Sequence, residues 1–463
     1  MSELIISVAG LRGVVGETLT PDVAMRYAAA FSAAVKEAGP FVITRDSRPS
    51  GAMLADAIHA ALNASGRDTI DAGIAATPTT GILIRQYHAA GGIQISASHN
   101  PGEYNGMKLF TAEGRVIPKQ PGSSVLEAYK LNQFHWVRFG GLGTKTVCSD
   151  STAAHLQAVL QSVDAAAVAA RKFKVLLDAN HGAGAVLGVK VLKALNCGVT
   201  VLGEEPNGQF LHTPEPTADN LAGVSTVAQK ELQGQKAKYD VIFCQDPDAD
   251  RLAIIDGNGR YIGEEYTLAL CLEHVLAKRH KEAANPSGSA PSAVVINCAT
   301  SRMSEDIAAG YGAKIYRSAV GEANVVDLML AKQAVFGGEG NGGPINPAVG
   351  YVRDSFVGMA LILDMMAKTG KSVAELADSL PKYALVKRKT TVELAKVPAM
   401  LDKAAAAFKT LPCDRMDGLR IDHGDAWVLL RGSNTEPIIR IFAEAPTAER
   451  ANKLCDEIEN VLH

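Results

Sequence analysis

The chain has 463 residues, of which 47% are hydrophobic and 21% are charged, and its formal net charge is -3 at pH 7. At roughly 100 to 200 residues per domain, this length predicts about three or four domains, each able to bury its own core. The nearly balanced charge, with no run rich in lysine and arginine, disfavours nucleic acid and anionic membranes as partners, because both call for a basic surface.

The amino-terminal segment, Met1 to Gly10, has neither the basic start nor the long apolar core of a secretory signal. No later stretch is long enough to cross a bilayer. The seven cysteines are scattered from Cys148 to Cys455 without a C-x-x-C pair, which indicates reduced thiols rather than a disulfide framework or a zinc site. We therefore expect a cytoplasmic protein without a membrane partner. The sequence leaves open whether it is a monomer or a homodimer.

One pattern recurs three times along the chain: a β-rich run, a polar loop, an amphipathic helix, a glycine and a second short strand. The three copies begin with strands predicted over residues 41–44, 175–177 and 294–296. The glycines after the three helices are Gly66, Gly198 and Gly312. Such glycines are typical of left-handed C-caps, and strands separated by helices predict parallel pairing through right-handed crossovers. The repetition predicts three similar doubly wound α/β domains.

The carboxyl-terminal part departs from this pattern. Ala426 to Leu430 and Ile438 to Ala443 are strand-like runs around a polar loop, and a charged helix follows from about Ala448 to Leu462. This order predicts a smaller α+β domain. We therefore expect four domains, which span residues 1–145, 146–255, 256–368 and 369–463.

The first candidate functional loop is the turn Ser96-Ala-Ser-His-Asn-Pro101, which Asn105-Gly-Met-Lys108 follows. Ser98 has His99, Asn100 and Lys108 close to it in sequence. On residue chemistry alone, such a turn is either purely structural or it presents a serine nucleophile that could carry a phosphate.

The second candidate loop holds three aspartates at alternate positions, Asp246, Asp248 and Asp250, directly behind an apolar run over residues 239–244. The run predicts a buried strand, and loops at the carboxyl ends of strands are where α/β sheets bind ligands. Closely spaced carboxylates repel one another unless a cation or a proton offsets their charge. A solvated turn is the alternative. Magnesium also takes phosphate oxygens, so this cation predicts a phosphate carrier elsewhere in the chain.

Two further loops could bind a phosphorylated sugar. Residues 337–343, with Glu339 and Asn341 among five glycines, could approach sugar hydroxyls closely or could be a flexible turn. Residues 431–436 join the last two predicted strands, with Arg440 further along. This loop offers a guanidinium, hydroxyls, an amide and backbone N–H groups to a phosphate, or it is a simple hairpin turn.

Taken together, the four loops resemble those of the α-D-phosphohexomutases, and the resemblance extends over essentially the whole chain. Members of that family carry a phosphoserine in T/S-A-S-H-N-P, a magnesium loop D-x-D-x-D-R, a sugar loop that begins with G-E, and a phosphate loop R-x-S-x-T-E-P. All four motifs occur here in the same order. The resemblance implies four domains around a central cleft, each of which contributes one loop.

The resemblance also implies a role for each motif residue. Ser98 would be phosphorylated, and Asp246, Asp248 and Asp250 would hold the Mg²⁺ that also binds its phosphate. Arg12, in Gly10-Leu-Arg-Gly13, and Arg251 would lie beside the transferring phosphoryl group. Lys108 and His99 would be the candidates for handling the hydroxyl proton. The groups that would bind the sugar and its second phosphate are Glu339, Asn341, Arg431, Ser433, Asn434, Thr435 and Arg440. A lysine that acts as a base needs a lowered pKa.

The sugar loop departs from the commoner G-E-x-S-G-H pattern of the family. It reads G-E-G-N-G-G over residues 338–343, and Gly321-Glu322 stands where a G-H pair is common. This variant resembles a branch that is usually assigned to phosphoglucosamine mutases, although some of its members are assigned to glucose or mannose phosphates. A carboxylate at Glu322 could pair with a substrate ammonium group.

The resemblance therefore implies an enzyme that interconverts hexose 6-phosphate and 1-phosphate through a phosphoserine and a sugar bisphosphate, with glucosamine 6-phosphate as the favoured substrate and mannose or glucose phosphates as the alternative. Two other functions remain open. The strand before Asp246 also fits an aspartyl-phosphate phosphatase of the haloacid dehalogenase type, which would leave the loops at Ser98 and Arg431 unexplained. A non-enzymatic sugar-phosphate sensor is the other, although every expected reactive position is filled.

Overall fold

The computed structural model describes residues 4–230, 237–283, 292–432 and 438–462. The described strands form four sheets that follow one another along the chain. Among the helices in these ranges, none combines the length and the apolar character that crossing a membrane requires.

The first sheet has seven strands in the order β1-β2-β6-β5-β3-β4-β7. Strands β3, β4, β5 and β7 are parallel, whereas β1, β2 and β6 pair with antiparallel neighbours. Its elements are β1 (Ile5–Ser7), β2 (Gly10–Val14), α1 (Pro21–Ala34), β3 (Phe41–Arg45), α2 (Ser50–Ala64), β4 (Thr69–Ile74), α3 (Thr77–Gln86), β5 (Gly91–Ile95), β6 (Tyr104–Thr111), α4 (Lys119–Leu131) and β7 (Lys145–Val147).

The second sheet has four strands in the order β11-β10-β8-β9. Its elements are α5 (Ala153–Gln161), α6 (Ala165–Arg171), β8 (Lys174–Asp178), α7 (Gly184–Ala194), β9 (Gly198–Leu202), α8 (Ala222–Lys230), β10 (Val241–Gln245) and β11 (Leu252–Asp256). All five residues of β10 are buried, as expected for a strand that is covered on both faces. Strands β10 and β11 form an antiparallel hairpin, and its connection carries the three aspartates.

The third sheet has the order β13-β12-β14-β15. Its elements are α9 (Glu264–Ala283), β12 (Ala293–Asn297), α10 (Met303–Gly310), β13 (Lys314–Ser318), α11 (Glu322–Lys332), β14 (Phe336–Glu339), β15 (Gly343–Ile345), α12 (Ser355–Thr369) and α13 (Val373–Asp378). Helix α12 is almost entirely buried and packs against helices that flank both the second and the third sheet. The two sheets therefore share one hydrophobic core.

The fourth sheet is antiparallel throughout, in the order β16-β20-β19-β18-β17. Its elements are β16 (Ala384–Thr391), α14 (Val397–Ala407), β17 (Cys413–Asp414), β18 (Leu419–Asp422), β19 (Trp427–Gly432), β20 (Ile438–Ala445) and α15 (Ala448–Leu462). Trp427 is fully buried where this sheet meets Cys298 of the third sheet's domain.

The predicted fold class, three similar α/β domains and a smaller α+β domain, is confirmed. Gly66 and Gly312 have the expected left-handed backbone, with φ of 82° and 63°. The prediction for Gly198 was wrong: Asn196 takes the left-handed conformation, with φ of 57°, because α7 ends at Ala194 and Gly198 already belongs to β9. The domain boundaries at 145, 255 and 368 stay a prediction.

Candidate active site

Ser98 lies in the loop that connects β5 to β6, and only 7% of its surface is exposed. Its backbone is left-handed, with φ of 50°, an uncommon conformation for a residue with a side chain. The Ser98 amide donates to Ser96 Oγ at 2.8 Å. Strain of this kind at a buried serine is typical of functional loops that the surrounding structure holds in place.

A buried ion pair between Asp46 and Arg48 holds this loop in place. Arg48 Nη2 donates to the Ser98 carbonyl at 2.8 Å, and Arg48 also bonds to the carboxylate of Asp46. Asp46 Oδ2 in turn accepts a hydrogen bond from Ser96 Oγ at 2.7 Å. Because Asp46 and Arg48 are almost completely buried, the removal of either would leave an uncompensated charge in the interior.

The serine loop meets the aspartate loop of the next domain. Ser98 Oγ donates to Asp246 Oδ2 at 3.0 Å. Asp246, Asp248 and Asp250 are completely buried, and one oxygen of each lies within 4.8 Å of the other two. The structure thus brings together the serine and the three aspartates that the sequence separates by about 150 positions.

The pKa values of the three aspartates in this cluster are shifted in different directions. Burial, with the charges of Asp248 and Asp250, raises the pKa of Asp246 well above its ordinary value. Burial also acts to raise the pKa of Asp250, but the charges of Arg353 and Lys108 outweigh it and hold that pKa below its ordinary value. Burial and Asp250 oppose ionisation of Asp248, yet Lys108 lowers its pKa overall.

The cluster fits a divalent cation. Among the described residues, Asp248 Oδ1 and Asp250 Oδ1 have no hydrogen-bond partner although both atoms are buried. Buried carboxylate oxygens need a hydrogen bond or a positive charge. Carboxylate oxygens are also the donors that hard divalent cations prefer. The donor set therefore fits a hard divalent cation.

Lys108 and His99 are the candidate proton-transfer groups beside Ser98. Lys108 Nζ lies 2.5 Å from Asp248 Oδ2 and 3.0 Å from Asp250 Oδ2. Burial lowers the pKa of Lys108, but these two carboxylates more than offset the burial and raise it, so the lowered pKa that a lysine base requires is not present in this arrangement. His99 Nδ1 lies 3.3 Å from Ser98 Oγ, and burial together with Arg251 and Arg12 lowers the pKa of His99 to about 3. His99 is therefore neutral near pH 7.

A cavity of about 370 Å³ opens in front of Ser98. Arg12, Ser98, Lys108, Glu322 and Arg353 are among the residues that line it. Arg12, on β2, donates to Asn100 Oδ1, and burial is the main cause that lowers its pKa. A cavity of this size with converging charged groups suits a small anionic ligand.

Arg353 lines the cavity and forms ion pairs with three carboxylates. Its guanidinium lies 2.6 Å from Asp250 Oδ2, 3.0 Å from Glu322 Oε2 and 2.6 Å from Glu339 Oε2. Glu339 also accepts from Asn297 Nδ2 at 2.7 Å, so it lies behind the cavity wall rather than in the wall. Glu322 Oε1 is buried and has no hydrogen-bond partner among the described residues, and burial raises the pKa of Glu322 to about 7.

Asn341, Arg431 and Arg440 are not among the residues that line this cavity. Asn341 lies in the turn between β14 and β15. The carbonyl of Gly342 in the same turn accepts a hydrogen bond from the amide of Leu252, the residue after Arg251. Arg431 Nε donates to Asp417 Oδ1 at 2.9 Å, and Arg440 is its cross-strand neighbour on β20. Ser433, Asn434 and Thr435 lie outside the described residues.

Sequence reasoning missed several residues that shape the site: Asp46, Arg48, Thr77 and Arg353. Thr77 bonds to the Asp248 side chain, and its amide donates to the Asp248 carbonyl at 2.9 Å, so α3 of the first domain is joined to the aspartate loop. None of these residues lies in one of the four motifs. Asp46 and Arg48 could have been noticed because the loop from 45 to 50 follows a predicted strand, the position at which ligands bind in α/β sheets.

Comparisons with known proteins find matches along nearly the whole chain. Four phosphoglucomutase/phosphomannomutase family models match the chain: α/β/α domain I at residues 4–135, domain II at 153–259, domain III at 264–383 and the C-terminal domain at 384–461. A phosphoglucomutase/phosphomannomutase of Thermococcus kodakarensis is 37% identical over 96% of this chain and 95% of its own. A Pyrococcus horikoshii protein named "probable phosphoglucosamine mutase" is 31% identical over 98% of this chain and 96% of its own.

A solved structure of a protein that carries the same family name has a similar fold. A phosphoglucomutase/phosphomannomutase family protein from Burkholderia thailandensis superimposes with a TM-score of 0.83 at 24% identity. The match covers 99% of this chain and 98% of that one. The four-domain arrangement is therefore shared over the full length of both chains.

Proposed function

Because the chain belongs to the phosphoglucomutase/phosphomannomutase family, the α-D-phosphohexomutases, and is a phosphohexomutase, we propose that it interconverts hexose 6-phosphate and hexose 1-phosphate through a phosphoserine at Ser98 and a sugar bisphosphate. The observation that carries this proposal is the hydrogen bond of 3.0 Å between Ser98 Oγ and Asp246 inside the buried aspartate cluster. A serine in that position is placed to carry a phosphate beside a cation.

The reaction has two transfers. The free hydroxyl of a sugar monophosphate attacks the phosphorus on Ser98, the bond from phosphorus to Ser98 Oγ breaks, and the hydroxyl proton leaves to a base. The sugar bisphosphate then turns around and returns its other phosphate to Ser98. Arg12 and Arg251 stabilise the charge on the transferring phosphoryl group. His99 is unprotonated near pH 7 and is the acceptor that we propose for the hydroxyl proton, because Lys108 is held protonated by Asp248 and Asp250, although a pKa of about 3 makes His99 a weak base.

Mg²⁺ is the cofactor that we propose for the cluster. Asp246, Asp248 and Asp250 would hold it, together with the phosphate on Ser98, and the cation would supply electrostatic stabilisation of the transferring phosphoryl group. Asp248 Oδ1 and Asp250 Oδ1 support this assignment over a turn that is merely solvated, because both atoms are buried without a hydrogen bond among the described residues, although Arg251 Nε lies 3.8 Å from Asp250 Oδ1.

Glucosamine 6-phosphate is the substrate that we propose. Glu322 lines the cavity, and its Oε2 is taken by Arg353 while its Oε1 has no partner among the described residues. That oxygen is available to the ammonium group of an amino sugar, whereas the hydroxyl of glucose or mannose would form a weaker bond. The name of the Pyrococcus horikoshii relative supports the same choice, and that of the Thermococcus kodakarensis relative supports glucose or mannose phosphates as the alternative.

Phosphorus NMR tests the proposal directly. The protein is supplied with Mg²⁺, a trace of hexose bisphosphate, and the 6-phosphates of glucosamine, glucose and mannose in separate samples. We expect the 1-phosphate to appear in each active sample and fastest from glucosamine. Release of inorganic phosphate alone would support an aspartyl-phosphate phosphatase, and no reaction in any sample would support a non-enzymatic sensor.

Glu322→Gln should remove the preference for the amino sugar. Loss of a charge-assisted hydrogen bond should lower kcat/KM for glucosamine 6-phosphate by about 10- to 100-fold. The kcat/KM for glucose 6-phosphate serves as the internal control and should change little. Because the pKa of Glu322 is about 7, the wild-type preference for glucosamine should also fall as the pH is lowered through that value, since the ionised carboxylate is the form that pairs with ammonium. Equal losses for both sugars would contradict the assignment.

The carboxyl-terminal loop is the part that we propose as the clamp for the phosphate that is not reacting. Arg431 would bind it with Ser433, Asn434 and Thr435, and Arg440 lies opposite Arg431 across the strand pair. Glu339 and Asn341 would bind ring hydroxyls. Glu339 accepts hydrogen bonds from Arg353 and Asn297 in the described arrangement. A sugar hydroxyl would therefore have to compete with those bonds in order to bind Glu339.

Arg431→Ala should raise KM for sugar phosphates by about 10- to 100-fold with a smaller effect on kcat, because a clamp on the non-reacting phosphate contributes similarly in the ground state and the transition state. Steady-state kinetics with the proposed substrate measures this directly. Arg415→Ala is the matched control, since Arg415 pairs with Asp402 on the exposed surface of the same domain. An unchanged KM in Arg431→Ala would count against the clamp.

A further inference from the structure

Asp417 joins the arginine proposed as the phosphate clamp to a backbone segment of the third domain. It lies in the turn between β17 and β18, outside the four loops that carry the motifs. Its Oδ1 accepts a hydrogen bond of 2.9 Å from Arg431 Nε. Its Oδ2 accepts another of 2.9 Å from the backbone amide of Val320. One carboxylate thus bridges two domains.

The turn that carries Asp417 is fixed against the strand that carries Arg431. Gly418 has a left-handed backbone, with φ of 84°. A Cβ atom at this position would overlap the carbonyl oxygen of Leu430, so the backbone of the turn packs directly on β19. Asp417 is therefore held beside Arg431 by the packing of the turn as well as by the ion pair.

Val320 belongs to the wall of the cavity in front of Ser98. Residues 320–322 lie at the junction of β13 and α11, and all three line that cavity. Asp417 accepts from the first amide of this segment, and Glu339 Oε1 accepts from the next one, that of Gly321, at 2.9 Å. Two carboxylates, one from each domain, thus hold the segment that presents Glu322 to the cavity.

Both partners of Asp417 are hydrogen-bond donors, so this position requires two acceptor oxygens. A carboxylate supplies them, whereas an amide side chain would turn its NH₂ group towards one of the two donors. The hydrogen bond to Asp417 uses Arg431 Nε. A guanidinium has four more N–H groups, on Nη1 and Nη2, that can bind a phosphate. The contact with Asp417 is therefore compatible with a phosphate on Arg431.

We propose that Asp417 is a positioning residue, which holds Arg431 in place relative to the segment that carries Glu322 so that one sugar phosphate contacts both. This role rests on the proposed function of Arg431 as the phosphate clamp. Asp417 acts through Arg431 on the phosphate that is not reacting, and through Val320 on the cavity wall. Its removal should therefore affect substrate binding more than the transfer step.

A double-mutant cycle in steady-state kinetics tests the link to Arg431. Asp417→Ala should raise KM for the sugar phosphate by about 5- to 30-fold with a smaller effect on kcat. The double variant Asp417→Ala, Arg431→Ala should have the KM of Arg431→Ala within about 2-fold, because a residue that acts through another adds nothing once the other is absent. The side chains of Asp417 and Arg431 are 19% and 23% exposed, and ion pairs so close to solvent contribute little to stability, so the variants should fold.

Asp422→Ala is the matched control. Asp422 forms another ion pair between the same two domains, at 3.5 Å from Arg302, and its side chain is 29% exposed. This variant should leave KM unchanged. If KM rises in Arg431→Ala but not in Asp417→Ala, or if the two effects multiply in the double variant, the role of Asp417 is overturned and the clamp stands. An unchanged KM in Arg431→Ala would remove the clamp and this role together.

Hydrogen–deuterium exchange, measured by mass spectrometry, tests the link to Val320 independently of activity. The Val320 amide is bonded to Asp417, so a peptide that spans Val320 should exchange at that amide at least about 10-fold faster in Asp417→Ala than in the wild type. Asp422→Ala should exchange like the wild type at this amide. An unchanged rate at Val320 in Asp417→Ala would overturn the link between the clamp and the cavity wall.

Discussion

Replacing Ser98 by alanine should lower turnover by at least about 10⁴-fold, because the variant has no oxygen to carry the phosphate between the two transfers. The fold should survive. Ser98 Oγ makes hydrogen bonds of 3.0 Å to Asp246 and 3.3 Å to His99, and their loss should cost only about 1 to 2 kcal/mol of stability. The contacts that hold the loop, from Arg48 to the Ser98 carbonyl and from the Ser98 amide to Ser96, use backbone atoms that alanine retains.

Two measurements make this result specific. Mass spectrometry after incubation with hexose bisphosphate should find a stable phosphate on Ser98 of the wild type and none on the corresponding peptide of the variant. Ser47→Ala is the matched control, since Ser47 is a buried serine of a neighbouring loop whose Oγ has no partner among the described residues, and it should keep its activity. Turnover in Ser98→Ala comparable to the wild type, or a labile acyl phosphate on Asp246 that hydroxylamine releases, would contradict the phosphoserine mechanism.

The parts of the site that the sequence predicted are those whose chemistry is local in the chain. Asp246, Asp248 and Asp250 occupy alternate positions in one short loop after an apolar run, so the sequence alone predicts that their charges lie close together. Arg353 could not be found in this way. Its role depends on three carboxylates from different segments that only the packing of the second and third domains brings to one guanidinium.

The fold shows the same division. The recurrence of strand, helix and glycine correctly predicted the β3-α2-β4 unit and its two counterparts, because each is continuous in sequence. The sheets are nevertheless mixed rather than purely parallel. The hairpin of β10 and β11 and the antiparallel strand β6 follow short connections without a helix, and the strand–helix–strand pattern did not predict them. In the last domain the sequence indicated β19, β20 and α15 and missed β16, whose exposed alternate residues make it resemble surface loop.

Asp248→Asn should weaken divalent-cation binding by about 10- to 100-fold and lower turnover by about 10²- to 10³-fold. The substitution preserves the side-chain volume and removes a charge from a group that is fully buried. Asp248 Oδ1, the atom without a hydrogen-bond partner among the described residues, is the oxygen available to the cation. Calorimetric titration with Mn²⁺ measures binding independently of catalysis, and the Mg²⁺ dependence of turnover measures its consequence.

Asp256→Asn is the matched control, because Asp256 is another buried aspartate of the same hairpin and pairs with Arg260 at 3.1 Å, outside the cluster. It should leave Mn²⁺ affinity unchanged. The comparison also separates two possible roles of Asp248, which contacts Lys108 Nζ at 2.5 Å as well as belonging to the cluster. If Asp248→Asn lowers turnover but binds Mn²⁺ as tightly as the wild type, then Asp248 acts by holding Lys108 and the cation is bound elsewhere. If affinity and turnover fall together, the charge of Asp248 contributes to the cation site itself.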